Sequence, residues 1–386
     1  MDDRLVEAFK GVLKVNLGVR AGERALVFTD LMPVGAVVGP VERSRREGLV
    51  RLASAAARAA SDLGLVTTHH EYAELGGHGK EPTRETWALA FGEAAVRELE
   101  GAGVLAPIIE KRACAEDISK AREIARSRRD DAVGVVVALS NYSTSHTRFR
   151  DLLTSEAGAR YASMPLFEEE MLDGAMDVDW SAVERRTEAV AKTLRGAESV
   201  RLTTPDGTDI SFSVAGRPAM ADTGMITAPG SFGNLPAGEA YLAPVEGTAE
   251  GVLILNWAPE RKLASPVRVK VTGGLALEVS GSEPYMEELR AALAARPENR
   301  NIAELGVGTN DRAKRPDNIL ESEKIQGTVH IAFGDNTSMG GKVSAPFHQD
   351  FIFFGPTLVA TGPGGVVTVL QDGRLLVDYQ GIKADG

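Results

Sequence analysis

The chain has 386 residues, 43% of them apolar and 25% charged, with a formal net charge of −11 and a pI near 5.2. At this length two domains are expected, because a single core stops growing well before it. The acidic balance excludes nucleic acid and anionic membrane as main partners, since phosphate binding needs clustered Lys and Arg. The one basic run, Arg43-Ser44-Arg45-Arg46, falls in a helical pattern and reads as a solvated face. A single cysteine, Cys114, permits no internal disulfide and no Cys-rich zinc site. The N-terminus lacks a basic stretch leading into an apolar run, so no signal peptide is expected. No window reaches the ~18 apolar residues of a spanning helix, and the expected location is cytoplasmic.

In chain order, the first half alternates helical and strand patterns. Residues 5–17 have helical spacing, 25–28 suit a buried strand, and 48–63 are helical again. A strand-like run at 64–68 precedes helical spacing over 86–99. Strand is then expected at 104–109, helix at 115–126 and strand at 133–139. Strands alternating with helices predict an α/β domain built on a parallel sheet covered on both faces. Beyond a last helix near 187–197 the texture changes. Segments 200–204 and 210–214 flank Pro205-Asp206-Gly207 as a hairpin. Segments 267–271 and 275–279 pair through Gly273-Gly274, and 366–370 pairs with 375–377 through Asp372-Gly373. Helical spacing returns only at 285–295. The predicted architecture is an α/β domain over 1–190 and a mainly antiparallel, barrel-like β domain over 191–386.

The chemistry-bearing residues cluster in the second half. His330 sits inside an apolar run, Val329-His330-Ile331-Ala332-Phe333. His348 and Asp350 open another, and residues i and i+2 of a strand point to one face. A His-x-Asp pair near a second strand histidine suits a divalent cation. Glu304 lies in the apolar run Ile302-Ala303-Glu304-Leu305-Gly306, where a carboxylate is costly without a positive partner. The polar, glycine-bearing segment from Asp335 to Lys342 joins the two histidine strands, and such loops commonly carry function. On spacing alone Glu239 reads as a surface glutamate.

The runs Asn234-Leu235-Pro236 with Glu239, 301–306 with Gly308-Thr309-Asn310, 328–334, and His348-Gln349-Asp350-Phe351 resemble, in order, the motifs of the aminopeptidase T (thermophilic metallopeptidase) family. The segment Ser145-His146-Thr147-Arg148, with Arg160 after it, is similar to that family's first half. The resemblance implies an α/β domain followed by a mainly β domain, a homodimer, and a two-metal centre taking Zn, Co or Mn. Glu239, Glu304, His330, His348 and Asp350 match its ligand positions, with Glu304 as the bridging carboxylate. The activity implied is removal of N-terminal residues from peptides, one metal polarising the carbonyl while a bound water attacks. His146, Arg148 or Arg160 would meet the substrate. One departure stands out: no tyrosine lies between the histidines, which are only 18 positions apart. Lys342, or else Asn336 or Thr337, or the metal alone, would then serve the developing oxyanion.

A second function class fits the same residues. His330, His348 and Asp350 are the two-histidine, one-carboxylate complement of a mononuclear non-haem Fe(II) oxygenase, and relatives of this family include ring-opening dioxygenases of dihydroxypyridines. A third is a small-molecule-binding relative without activity. His69, His70 and His78 are expected at the surface.

Overall fold

The structure, a computed structural model, describes residues 2–377. Two compact units divide the chain: 1–176 with 224–235, and 177–223 with 236–386. Neither is contiguous in sequence. The helix Trp180–Arg195 belongs to the second unit, although the sequence reading gave most of it to the first.

The first unit is built on a five-stranded, all-parallel sheet. Its spatial order is Val66–Ala73, Arg24–Leu31, Val135–Ala138, Arg160–Ser163 and Phe232–Asn234. The first four strands come in βα alternation, and the fifth is supplied by the returning segment 224–235. Helix Pro40–Asp62 packs on the two strands at one end of this order. Beyond Leu52 its buried residues are all alanine (Ala53, Ala55, Ala56, Ala57, Ala59, Ala60), which brings the helix close to the sheet. An aromatic core of Phe28, Trp87, Phe91, Phe149 and Tyr161 fills the space under the other helices.

Two local expectations are corrected here. Residues 104–109 form the short helix Leu105–Ile109, not a strand; a brief apolar run carries no period that separates the two. The helical stretch 86–99 is broken into Arg84–Phe91 and Glu93–Gly101, because Gly92 adopts φ 87° and turns the chain.

The second unit holds two antiparallel sheets. The larger has eight strands, in which the three hairpins read from the sequence all occur. The smaller runs, in space, His348–Phe353, Val329–Gly334, Ile302–Gly308, Glu239–Leu242 and Met220–Asp222. One core joins them: Leu305, Val307, Val329, Ile331, Phe333, Phe351 and Phe353 of the smaller sheet bury with Leu202, Phe212, Leu253, Val267 and Leu358 of the larger. Because side chains alternate along a strand, committing the odd-numbered positions to this core sends residues 304, 306, 330, 348 and 350 to the opposite face. A β-bulge between Ile302 and Glu304 resets the parity, so that Ile302 and Leu305 both reach the core. Among the described residues, no helix is long and apolar enough to cross a membrane.

Candidate metal centre

The outer face of the smaller sheet gathers the predicted residues from four neighbouring strands. Cross-strand register places Glu304 beside Ala332 and then Asp350, Gly306 beside His330, and Gly308 beside Glu239. His330 lies over Gly306: a Cβ there would come within 2.0 Å of the imidazole Cε1 and Nε2. The glycine is therefore a seat for the ring, which is the physical content of the Leu305-Gly306-Val307-Gly308 run.

Glu304 is the centre of the arrangement. His330 Nε2 lies 3.3 Å from Glu304 Oε1 and 3.3 Å from Glu239 Oε2. His348 Nε2 lies 3.2 Å from Glu304 Oε2 and 3.5 Å from Asp350 Oδ2. Two sets of donor atoms converge closely enough to hold a cation: Glu239, Glu304 and His330, and Glu304, His348 and Asp350. Glu304 is common to both. His330, His348 and Asp350, the trio expected for an iron triad, do not fall together in one of these sets: the two histidines meet opposite oxygens of the Glu304 carboxylate.

His348 is oriented from behind. Its Nδ1 lies 2.8 Å from the Asp335 carbonyl, so Nδ1–H donates there and Nε2 is turned toward the carboxylates, the atom a metal would take in place of its proton. The loop that supplies this carbonyl is fixed internally. The Glu246 carboxylate accepts from Asn336 Nδ2 at 3.0 Å and from the Lys342 backbone N–H at 2.7 Å. Asn336 Oδ1 in turn accepts the Val343 N–H at 2.9 Å. Lys342 itself is exposed and belongs to neither donor set, and Thr337 bonds to Asp335. The loop supplies the carbonyl that holds His348, and the lysine that contacts the donor sets is a different one.

That lysine is Lys324. It is fully buried, its ammonium donating to Glu239 Oε1 at 2.5 Å and to Glu323 Oε2 at 2.9 Å. Nothing in the run Leu320-Glu321-Ser322-Glu323-Lys324 distinguishes it from a solvated charged stretch. Tyr241 is a second residue not singled out from the sequence. Its register partner is Gly306, so it shares the face of Glu304 and His330, and burial keeps its phenol neutral.

The electrostatics ask for a cation. Burial, reinforced by neighbouring carboxylates, pushes Asp350 up to about 7. Burial likewise lifts Glu239 to about 8, against the pull of Lys324. Burial opposes the charged histidines, but Glu304 and Glu239 raise His330 to about 9, and Asp350 and Glu304 raise His348 to about 10. Burial would raise Glu304, yet its bonds to both histidines hold it well below the usual carboxylate range. Protons are retained because carboxylates outnumber cations, and a bound metal would displace them. Asp350 Oδ1, Glu239 Oε2 and His330 Nδ1 are also buried without a hydrogen bond. A buried carboxylate oxygen left unpaired is costly, and a cation between Glu304, His348 and Asp350 fits it.

Two of the residues proposed from the first half make contacts within that unit. Arg160 donates to the carbonyls of Leu17 and Gly18 and pairs with Glu23 at 2.6 Å. Arg148 pairs with Asp151. His70, expected at the surface, is buried against Thr86 at 3.1 Å, and His78 accepts the Ser143 N–H at 3.1 Å.

One parallel-sheet unit and one antiparallel unit, the latter carrying a carboxylate–histidine cluster able to hold a cation, make this a two-unit α/β protein with a candidate metal site. Residues 155–376 match the family described as NicX, 2,5-dihydroxypyridine 5,6-dioxygenase, and the chain belongs to that family. The 2,5-dihydroxypyridine 5,6-dioxygenase of Pseudomonas putida is 26% identical over 187 residues, 43% of this chain and 52% of the relative, so the match spans about half of that protein's length. Among solved structures, the 2,5-dihydroxypyridine dioxygenase of Pseudomonas putida has a TM-score of 0.69 at 18% identity, covering 98% of this chain and 99% of that one. AmpT of Thermus thermophilus has a TM-score of 0.56 at 16% identity, covering 97% and 99%. Both structural likenesses concern the fold. The similarity to aminopeptidase T is therefore real at that level, while the expected peptidase activity is overturned: the family match and the sequence relative both point to a dioxygenase.

Proposed function

We propose that this chain is a metal-dependent, ring-opening dioxygenase acting on a dihydroxylated pyridine or a closely similar aromatic diol, with one Fe(II) held by Glu304, His348 and Asp350. The observation that carries this reading is that the family-matched segment 155–376 contains all the converging donors. The donor set, one nitrogen and two carboxylate oxygens, is harder than two histidines and one carboxylate and still suits a divalent first-row ion with open positions. When bound, such an ion supplies the redox chemistry by which dioxygen adds to an electron-rich ring.

The chain's own residues have three tasks. Asp335 fixes the His348 tautomer, which keeps Nε2 free as a ligand. His330 holds a proton at Nε2, 3.3 Å from both Glu239 and Glu304, and so restrains the Glu304 carboxylate while serving as a proton store beside the site. Tyr241 presents a neutral hydroxyl on the same sheet face, able to donate to a substrate oxygen.

The test is anaerobic loading with Fe(II), followed by oxygen-electrode and absorbance measurements on 2,5-dihydroxypyridine, catechol and hydroquinone. Stoichiometric oxygen uptake with loss of the ring absorbance is expected for at least one of them. An iron-loaded, folded protein that consumes no oxygen with any of the three rejects the reading.

A further inference from the structure

The Glu239–Glu304–His330 set has the composition of a second metal position, yet a cation already stands against it. Lys324 has no exposure at all, and its Nζ is 2.5 Å from Glu239 Oε1, on the far side of the carboxylate whose Oε2 faces His330. Glu323 contributes a second contact at 2.9 Å. Burying an ammonium is costly unless it is paired and hydrogen-bonded, and here two carboxylates satisfy it. The same charge penalises a dication placed on Glu239 Oε2, because like charges a few ångströms apart repel strongly in a poorly solvated site. The other set, Glu304–His348–Asp350, touches no lysine among the described residues, and Asp350 Oδ1 there has no hydrogen bond.

We propose that Lys324 is a built-in cation that occupies, electrostatically, the place of a second metal, so that the centre takes one divalent ion, at Glu304, His348 and Asp350. This rests on the reading of those three residues as the metal site. Lys324 acts through Glu239 and is a positioning residue. By neutralising Glu239 it leaves Glu304 to serve one ion, where an unoccupied Glu239 would draw Glu304 into a shared, bridging role. The number of metals is then set by a side chain outside the donor set, and the chemistry available to the site follows from that number: an ion flanked by open positions, instead of a pair clamping one oxygen.

Titration of the full chain with Mn(II), counting free ion by its paramagnetic resonance and bound ion by elemental analysis, tests this without reference to catalysis. The wild type is expected to bind one ion per chain. Lys324→Met is expected to bind a second, its affinity at this position rising roughly 100-fold once the neighbouring charge is removed. Lys324→Arg, which keeps the charge, stays at one. Should Lys324→Met fail to fold, Lys324→Gln retains a hydrogen bond to Glu239 and makes the same prediction. Two ions of comparable affinity in the wild type overturn the proposal, as does a folded neutral variant that still binds only one. A one-ion protein that leaves oxygen untouched sinks the dioxygenase reading alone; a two-ion protein that consumes oxygen sinks this inference alone.

Discussion

Both units bury carboxylates in or beside strands, and they treat them differently. In the parallel-sheet unit Asp30 accepts the backbone N–H groups of Asn141 and Tyr142 at 2.6 and 3.0 Å. Glu81 accepts those of Arg148 and Phe149, at 2.6 and 3.0 Å, at the start of helix Arg148–Ser155. Each acid there is spent on the backbone, capping donors that would otherwise be orphaned. On the small antiparallel sheet the acids face histidines, a lysine and one another, and leave polar atoms without partners. Burial of a carboxylate is thus no sign of function; what separates the two kinds is whether main-chain donors have claimed it.

That contrast can be broken most sharply at Glu304. Glu304→Ala is expected to lower divalent metal affinity by at least about 100-fold while leaving a folded chain, measured by Mn(II) titration and circular dichroism. Gly306→Ala should cost about 1–3 kcal/mol of stability by overpacking, with a weaker loss of metal binding, because the added methyl meets the His330 ring; urea titration with and without metal separates the two effects. Glu81→Gln should do the converse, losing about 1.5 kcal/mol with unchanged metal binding.

A pH series sharpens the same comparison. In the metal-free chain His330, Glu239 and Asp350 all have folded pKa values raised above their ordinary ones, to about 9, 8 and 7. Each therefore contributes stability that is present below its ordinary pKa and lost as pH rises through the raised value. The urea midpoint of the metal-free chain should fall between pH 6.5 and 9.5, and saturating metal should flatten the slope. A midpoint that rises over this interval would contradict the cluster's electrostatics. The smallest effect is expected at Lys342→Ala, no more than about twofold in metal affinity, since an exposed cation is well screened.

Much of the centre was legible before any coordinates. The i, i+2 spacing of His348 and Asp350, the histidine inside an apolar run and the glutamate stranded in another each carry a cost that only a partner relieves. Glu239 became visible through family resemblance, because its strand is four residues long and has no period of its own. Lys324 was hidden for a different reason. It follows the short helix Ile319–Ser322 in a run of charged residues, and only the tertiary fold turns that run inward. The strand pairing and register that bring both histidines to the Glu304 carboxylate are likewise set by long-range contacts that local pattern does not encode. The fold class was readable from the switch between helical and alternating periods, whereas the return of 224–235 to the first unit leaves no local mark.

That return has a practical consequence for anyone wishing to dissect the molecule. A fragment starting at 177 carries off Phe232–Asn234, whose hydrogen-bonding neighbour, Arg160–Ser163, stays behind in the other piece. The severed part then has an unmatched ribbon in its middle, and the remainder has lost an edge of its parallel sheet. Limited proteolysis at the 176/177 junction should accordingly yield a nicked protein that stays together, and separate expression of the halves should give sticky, poorly behaved material.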